Sequence, residues 1–435
     1  MIVSALILGI AGQIPSPMSA QQDHARLLKE LGIERLRPGK DGMNPKNPNF
    51  ANTDEAKSNP YPTIPALMTL NDGRAVAARR DWPKRRAEIV ELLDREIYGR
   101  TPKRTPGVKW EVASTENLEI GGVKAVSQKL VGHVDNSSCP EIKVDIQLSL
   151  TLPAEVSRKS PVVLEFGFVF PRRPGAPATP PPPAPVWQVD ALKRGWGFAI
   201  LDPNSVQADN GGGLNRGIIG LVNKGLPRKS DDWGALKAWA WGAGRCLDLF
   251  SKNPKIDAKK VAIEGISRYG KASAVTMAYD QRFSAALIGS SGQGGVKIWR
   301  RDNGETVENV AGSGEYHWMA GNYVRYAGPL TPGDMPVDGH QLLALCAPRP
   351  TFVGIGSPKV EGIWIDLMGT FMATKLASPA WELLGKKGLS VTELPAEGTP
   401  AMAGDLAFSG HTGGHTNVPN FPSFFEFCAR YWDKK

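Results

Sequence analysis

The residues best suited to chemistry gather around one serine. In Val261-Ala262-Ile263-Glu264-Gly265-Ile266-Ser267-Arg268-Tyr269-Gly270-Lys271 a β-branched run breaks into Gly-x-Ser-x-x-Gly, and a helix-compatible segment, Ala272 to Tyr279, follows at once. This is the pattern of a nucleophile elbow, in which a strand turns sharply into a helix and holds a serine hydroxyl clear of the sheet. Gly265 and Gly270 stand where a side chain would collide with a neighbouring strand or helix. The helix start adds backbone N–H groups and a positive dipole end where an oxyanion would form. A serine nucleophile also needs a base whose pKa suits neutral pH, which points to histidine. Of six histidines, His411 and His415 come late enough for the order serine, acid, histidine that such folds use.

Further motifs follow the elbow in a fixed order: Ser291-Gly292-Gln293-Gly294-Gly295, Trp299-Arg300-Arg301, Gly304-Glu305-Thr306, Pro336-Val337-Asp338-Gly339-His340, Ala347-Pro348-Arg349-Pro350 and Trp364-Ile365-Asp366. With Gly-x-Ser-Arg-x-Gly-Lys at the elbow, the chain resembles the bacterial glucuronoyl esterases, carbohydrate esterase family 15, over residues 60 to 433. The resemblance implies a serine esterase that hydrolyses esters of (4-O-methyl-)glucuronic acid on glucuronoxylan, such as lignin–carbohydrate links, through an acyl-enzyme on Ser267. It further implies His415 as base, with His411 a neighbouring or substrate-facing group, and Arg268 at the oxyanion. Lys271, Glu315 and Trp364 match positions that bind the sugar.

The acid departs from the family pattern. The two positions where relatives carry it hold Ser290 and Gly362. Glu361, one residue from the second, is on the loop where α/β-hydrolases keep their acid. Glu361 is therefore the expected third member, with Asp366 and Glu305 as alternatives. Arg300 and Arg301 either steady the loop that carries Glu305 or address the carboxyl-derived group. His317 and His340 are candidates for the cleft wall, and His24 and His133 for the surface.

Around these residues the chain alternates strand and helix. A helix is expected over Asp81–Tyr98, antiparallel strands over 108–153, and buried strands at Pro161–Phe168, Gly197–Leu201, Ala285–Ile288, Thr351–Ile355 and Leu389–Leu394. Core helices are expected from Trp233 to Phe250, from Gly369 to Leu376 and from Phe421 to Trp432. The predicted fold class is an α/β-hydrolase three-layer sandwich, a mostly parallel doubly wound sheet with loop insertions. One insertion, Pro171 to Pro185, holds eight prolines and reads as a stiff surface segment. The expected organisation is a signal peptide at 1–20, an extended arm at 21–75 and one catalytic domain at 76–435.

Ile2 to Gly12 is apolar and Met18-Ser19-Ala20 supplies a small-residue ending, so the protein is expected to be secreted or periplasmic. The four cysteines, Cys139, Cys246, Cys346 and Cys428, lack any CxxC spacing and could make two disulfides, although Cys246 and Cys346 sit in apolar runs and fit buried thiols equally well. A net charge of +9 is scattered, its longest dense patch being Arg79 to Arg86, which argues for an acidic polysaccharide partner rather than nucleic acid. No membrane partner, cofactor or metal is expected: no apolar stretch is long enough, no histidine–carboxylate cluster has ligand spacing, and the serine route needs no metal. A monomer is the expected state. Two other functions fit the same residues, a carbohydrate acetyl esterase on this fold and a polysaccharide-binding protein with an impaired triad.

Overall fold

Short apolar runs whose alternate residues are buried on opposite faces build one nine-stranded sheet among the described residues. The computed structural model describes residues 15–59, 61, 63–155, 157–167 and 184–433. Residues 1–14 of the expected signal peptide and 171–183 of the expected proline-rich insertion lie outside the described residues. In chain order the strands are β1 (Val108–Ile120), β2 (Val123–Val134), β3 (Asp145–Pro153), β4 (Ser160–Phe166), β5 (Gly197–Leu201), β6 (Ile256–Ile266), β7 (Ala285–Gly289), β8 (Thr351–Ile355) and β9 (Leu406–Gly410). They lie in the order β1-β2-β3-β5-β4-β6-β7-β8-β9. The first three strands and β5 pair antiparallel, and every pair from β5 to β9 is parallel. Parallel strands need crossovers, and helices provide them on both faces.

The helices are α1 (Ala20–Glu30), α2 (Trp82–Leu93), α3 (Val186–Lys193), α4 (Gly217–Val222), α5 (Ala235–Lys252), α6 (Arg268–Tyr279), α7 (Val307–Val310), α8 (Gly339–Ala344), α9 (Leu367–Leu383) and α10 (Phe421–Trp432). One face of the sheet, with Val162, Leu164, Val261 and Ile263, packs in a core that also takes in α5, α6, α8 and α9. The other, with Val163, Ala262, Leu287 and Phe352, packs on α3 and α10, where Trp187 stacks on Phe421 at 4.7 Å between ring centroids. The three layers are those of a doubly wound α/β protein.

Four expectations need correction. The last strand is β9, and Leu389–Leu394 is irregular. Leu389-Ser390-Val391-Thr392 has the better strand propensity, but Leu406-Ala407-Phe408-Ser409-Gly410 is buried throughout, and burial between β8 and α10 overrides propensity. The stretch 21–75 is not extended throughout, because α1 has a complete capping box between Ser19 and Gln22. The arm is fastened to the domain by Arg37–Glu308 at 3.0 Å and Arg301–Glu55 at 2.7 Å. His24 is buried, with Nε2 2.8 Å from the Ala311 carbonyl and its ring against Tyr316, whereas His133 is half-exposed on β2. His340 is buried against the Pro65 carbonyl rather than in the cleft.

Cys139, Cys246, Cys346 and Cys428 are all free and buried, so of the two readings the structure has thiols. The helix expected over Asp81–Tyr98 is α2 followed by a wider π-type turn, Asp94–Tyr98, ended by Gly99 at φ +84°. The expected Gly369–Leu376 segment is the front half of α9, which continues past Pro379. Among the described residues no helix is long and apolar enough to cross a membrane.

Candidate active site

The loops that leave the carboxyl ends of the parallel strands meet over Ser267, as ligand sites do in open α/β sheets. Ser267 sits between β6 and α6 at φ +62°, ψ −132°, a strained conformation for a side-chain-bearing residue. The turn closes because Gly265 and Gly270 have no side chain: a Cβ on Gly265 would meet the Tyr269 carbonyl, and one on Gly270 the Gly289 carbonyl. The Ser267 N–H donates to Gly289 O at 3.0 Å, which ties the elbow to the end of β7. The hydroxyl opens into a cleft of about 270 Å³ lined by Arg268, Lys271, Ser290, Glu305, Glu315, Glu361, Trp364 and His415, among others.

Glu361 is on the loop after β8 and His415 on the loop after β9. Glu361 Oε1 lies 2.6 Å from His415 Nδ1. The carboxylate is almost wholly buried and the imidazole half-exposed, so the ring reaches the cleft while its partner is shielded from water. The second oxygen, Oε2, accepts from the Gly356 N–H at 2.6 Å and from the Ser290 hydroxyl at 2.9 Å. Ser290, one of the two positions where the family pattern leads one to expect the acid, thus donates a hydrogen bond to Glu361. Removing that donor should misorient Glu361 without discharging it. Ser290→Ala is expected to lower kcat about tenfold, equivalent to ~1.4 kcal/mol, with KM little changed in steady-state kinetics.

The alternatives to Glu361 have other partners. Asp366 caps α9 through the Gly369 N–H at 2.7 Å, and its carboxylate meets Arg301 at 2.9 Å and Lys297 at 3.5 Å, all buried. Asp366→Asn leaves buried Lys297 without its carboxylate and Arg301 with Glu55 alone, and is expected to cost about 3–5 kcal/mol of stability, read as a lower denaturant midpoint, with activity lost only in step with unfolding. Glu305 Oε2 pairs with Lys271 Nζ at 2.9 Å and accepts from the Gln293 N–H. Of the two expected roles for Arg300 and Arg301, bracing is the one seen, since Arg300 is locked to Asp338 at 2.6 Å and Arg301 to Asp366 and Glu55. His411 is buried beside the cleft, where its Nδ1 accepts from Gly413 N–H at 3.1 Å and braces the histidine loop.

Arg268 starts α6, so its backbone N–H faces the place where an oxyanion would form. Its Nε lies 2.6 Å from Asp209 Oδ2, on the loop after β5. Asp209 Oδ1 in turn meets His317 Nε2 at 3.0 Å and Trp318 Nε1 at 2.6 Å. Burial alone would raise the Asp209 carboxyl, but these donors and the Arg268 charge hold it below the usual carboxylate range. Burial keeps His317 below its usual pKa despite Asp209. Asp209 and Trp318 escaped the reading of the sequence. The only signal for Asp209 was its place before Asn210-Gly211-Gly212-Gly213.

Glu315 and Trp364 also face the cleft. Trp364 is the more accessible, with 43% of its surface exposed, so an aromatic plane is open to a sugar face. Glu315 Oε2 is buried with no hydrogen-bond partner among the described residues. Burial first, then the negative charge of Glu305, pushes its carboxyl up to about 8. Below that pH the carboxyl is neutral and can donate to a hydroxyl; above it a second negative charge appears beside Glu305. A sugar bound through this donor should therefore show KM rising as pH passes from 7 to 9, and Glu315→Gln should flatten the rise in a pH series of kcat and KM.

The sheet order, the serine elbow and the loops converging on it define an α/β-hydrolase. Residues 224–385 match the family model described as glucuronyl esterase, fungi. A carbohydrate esterase family 15 glucuronoyl esterase from Teredinibacter turnerae superposes with a TM-score of 0.86 at 42% identity, covering 95% of this chain and all of that one. A glucuronoyl esterase from Solibacter usitatus does so with a TM-score of 0.76 at 33% identity, covering 87% of this chain and all of that one. A 4-O-methyl-glucuronoyl methylesterase from Podospora anserina is 27% identical over 330 residues, 73% of this chain and 60% of that protein. The chain belongs to the glucuronoyl esterases, carbohydrate esterase family 15.

Proposed function

We propose that this protein is an exported serine esterase that cleaves esters of 4-O-methyl-glucuronic acid on glucuronoxylan, with Ser267 as nucleophile, His415 as base and Glu361 as the acid that orients it. The observation that carries the reading is the 2.6 Å bond from His415 Nδ1 to a shielded Glu361 carboxylate, in the cleft that holds the strained Ser267 elbow. With Nδ1 engaged, the other ring nitrogen is left to take the Ser267 proton. The alkoxide attacks the ester carbonyl, and the oxyanion is met by the Arg268 N–H and guanidinium. Collapse expels the alcohol, which takes its proton from the imidazolium and leaves the glucuronoyl group on Ser267. Water, deprotonated by His415, then attacks the acyl-enzyme and releases the glucuronate and free Ser267. Lys271, Glu305, Glu315 and Trp364 supply an ammonium, carboxyl groups and an aromatic face for the ring hydroxyls and ring plane.

Ser290 and Gly362 suggest a triad that has lost its acid, but the carboxylate on His415 supports an enzyme over an inert binding frame. The acetyl-esterase alternative differs in the acyl group recognised. A site lined by this many polar groups should reject an acyl group that leaves them unpaired, by about 10²-fold or more in kcat/KM. Kinetics on methyl glucuronate beside acetylated xylose test this. A preference for the acetyl ester would overturn the substrate proposed.

A further inference from the structure

The loop that carries His415 is fastened to the elbow through one side chain that the chemistry above does not use. Asn417, two residues after His415, is buried at the carboxyl end of the sheet. Its Nδ2 donates to Glu264 Oε2 at 2.9 Å and to the Gly265 carbonyl at 3.0 Å, both on β6 just before Ser267. The same amide fills the space above Gly289, where even a single Cβ would overlap it. Gly289 is the residue whose carbonyl takes the Ser267 N–H. Asn417 therefore touches the last residues of β6 and the residue on β7 that holds the nucleophile.

Glu264 is itself part of a pair. It sits opposite Glu165 in the parallel register of β4 and β6, with both side chains on the α3/α10 face of the sheet. Two carboxylates side by side in a dry site cannot both be ionised. Burial first, and then the Glu165 charge, drives Glu264 well above the ordinary carboxyl range, while burial brings Glu165 up to about 7. Of the two, Glu264 is pushed up the further, and its Oε2 accepts from Asn417 Nδ2. A charged Glu264 would have to shed this arrangement or draw in water.

We infer that Asn417 is a positioning residue for His415, and that Glu264 is the anchor that fixes it against the serine elbow. The inference rests on the reading of Ser267 and His415 as nucleophile and base. It assigns Asn417 no contact with substrate. A small drift of the histidine loop would separate base from hydroxyl without touching the sugar contacts, which predicts a loss in kcat and not in KM.

The test uses the full chain with Asn417→Ala, Asn417→Asp, Glu264→Gln and Glu264→Leu, each checked for cooperative thermal unfolding and assayed on methyl glucuronate. Both Asn417 variants and Glu264→Leu should lose about 10²-fold in kcat with KM within about twofold, the scale of a displaced catalytic group. Glu264→Gln should keep kcat within about twofold, because an amide of the same shape still supplies the oxygen for Asn417, which leucine does not. A folded Asn417 variant with near-normal kcat, or Glu264→Gln as damaged as Glu264→Leu, overturns the inference. If the Asn417 variants do not fold, the comparison of Gln with Leu at position 264 decides it alone. Should the wild type fail to cleave glucuronoyl esters, the proposed substrate is wrong, and the same comparison is read from the rate of Ser267 labelling by an organophosphonate.

Discussion

Replacing Ser267 by alanine is expected to lower kcat by about 10⁶-fold, the scale seen when a serine nucleophile is removed from an intact triad. The effect is large because, in the proposed mechanism, the residue supplies the atom that forms the acyl bond. Arg268, Lys271 and Trp364 remain, so binding of a glucuronate product should be unchanged by calorimetry. The fold should hold as well. Alanine keeps the Cβ, and the strain at φ +62° is common to both residues. Activity within tenfold of wild type would mean that the elbow is only a turn.

Glu361→Gln is the second large effect. It keeps the shape of the side chain and the contact with Ser290, but it removes the charge that stabilises imidazolium and fixes the tautomer of His415. A loss of about 10²–10⁴-fold in kcat is expected, as for neutralised triad acids. His415→Ala should do at least as much damage. His411→Ala should do far less, since that ring accepts from the Gly413 N–H within the loop and does not line the cleft. A nearly silent Glu361→Gln beside a dead but folded Glu305→Gln or Asp366→Asn would move the acid elsewhere.

Much of this site can be seen in the sequence, because its parts are local. The elbow declares itself through Gly265 and Gly270, which are required by two backbone carbonyls a Cβ would strike. Glu361 can be placed on its loop from the strand before it and His415 from its late position in the chain, and the sheet brings the two, 54 positions apart, together. What cannot be read is what depends on distance in the chain. Ser290 looks like a vacancy, and only the fold shows its hydroxyl pointing at a carboxylate 71 positions later. Asp209 orients Arg268 from the end of β5 with no local motif to mark it. β9 carries no β-branched residue, so only burial marks it as a strand. His24 looks like a surface residue because it sits between Asp23 and Arg26, and the pocket that Ala311 and Tyr316 provide comes from far along the chain.

The central claim is that Ser267 attacks with His415 as base and Glu361 behind it. Its most direct measurement is the site and rate of covalent labelling by an organophosphonate ester, followed by peptide mass mapping in the wild type and in Glu361→Gln. The expected result is one label per chain on the peptide containing Ser267, loss of turnover in step with labelling, and labelling slowed in Glu361→Gln by the factor that kcat/KM falls. Turnover that survives full modification of Ser267, or labelling that is as fast in Glu361→Gln as in the wild type, would contradict it.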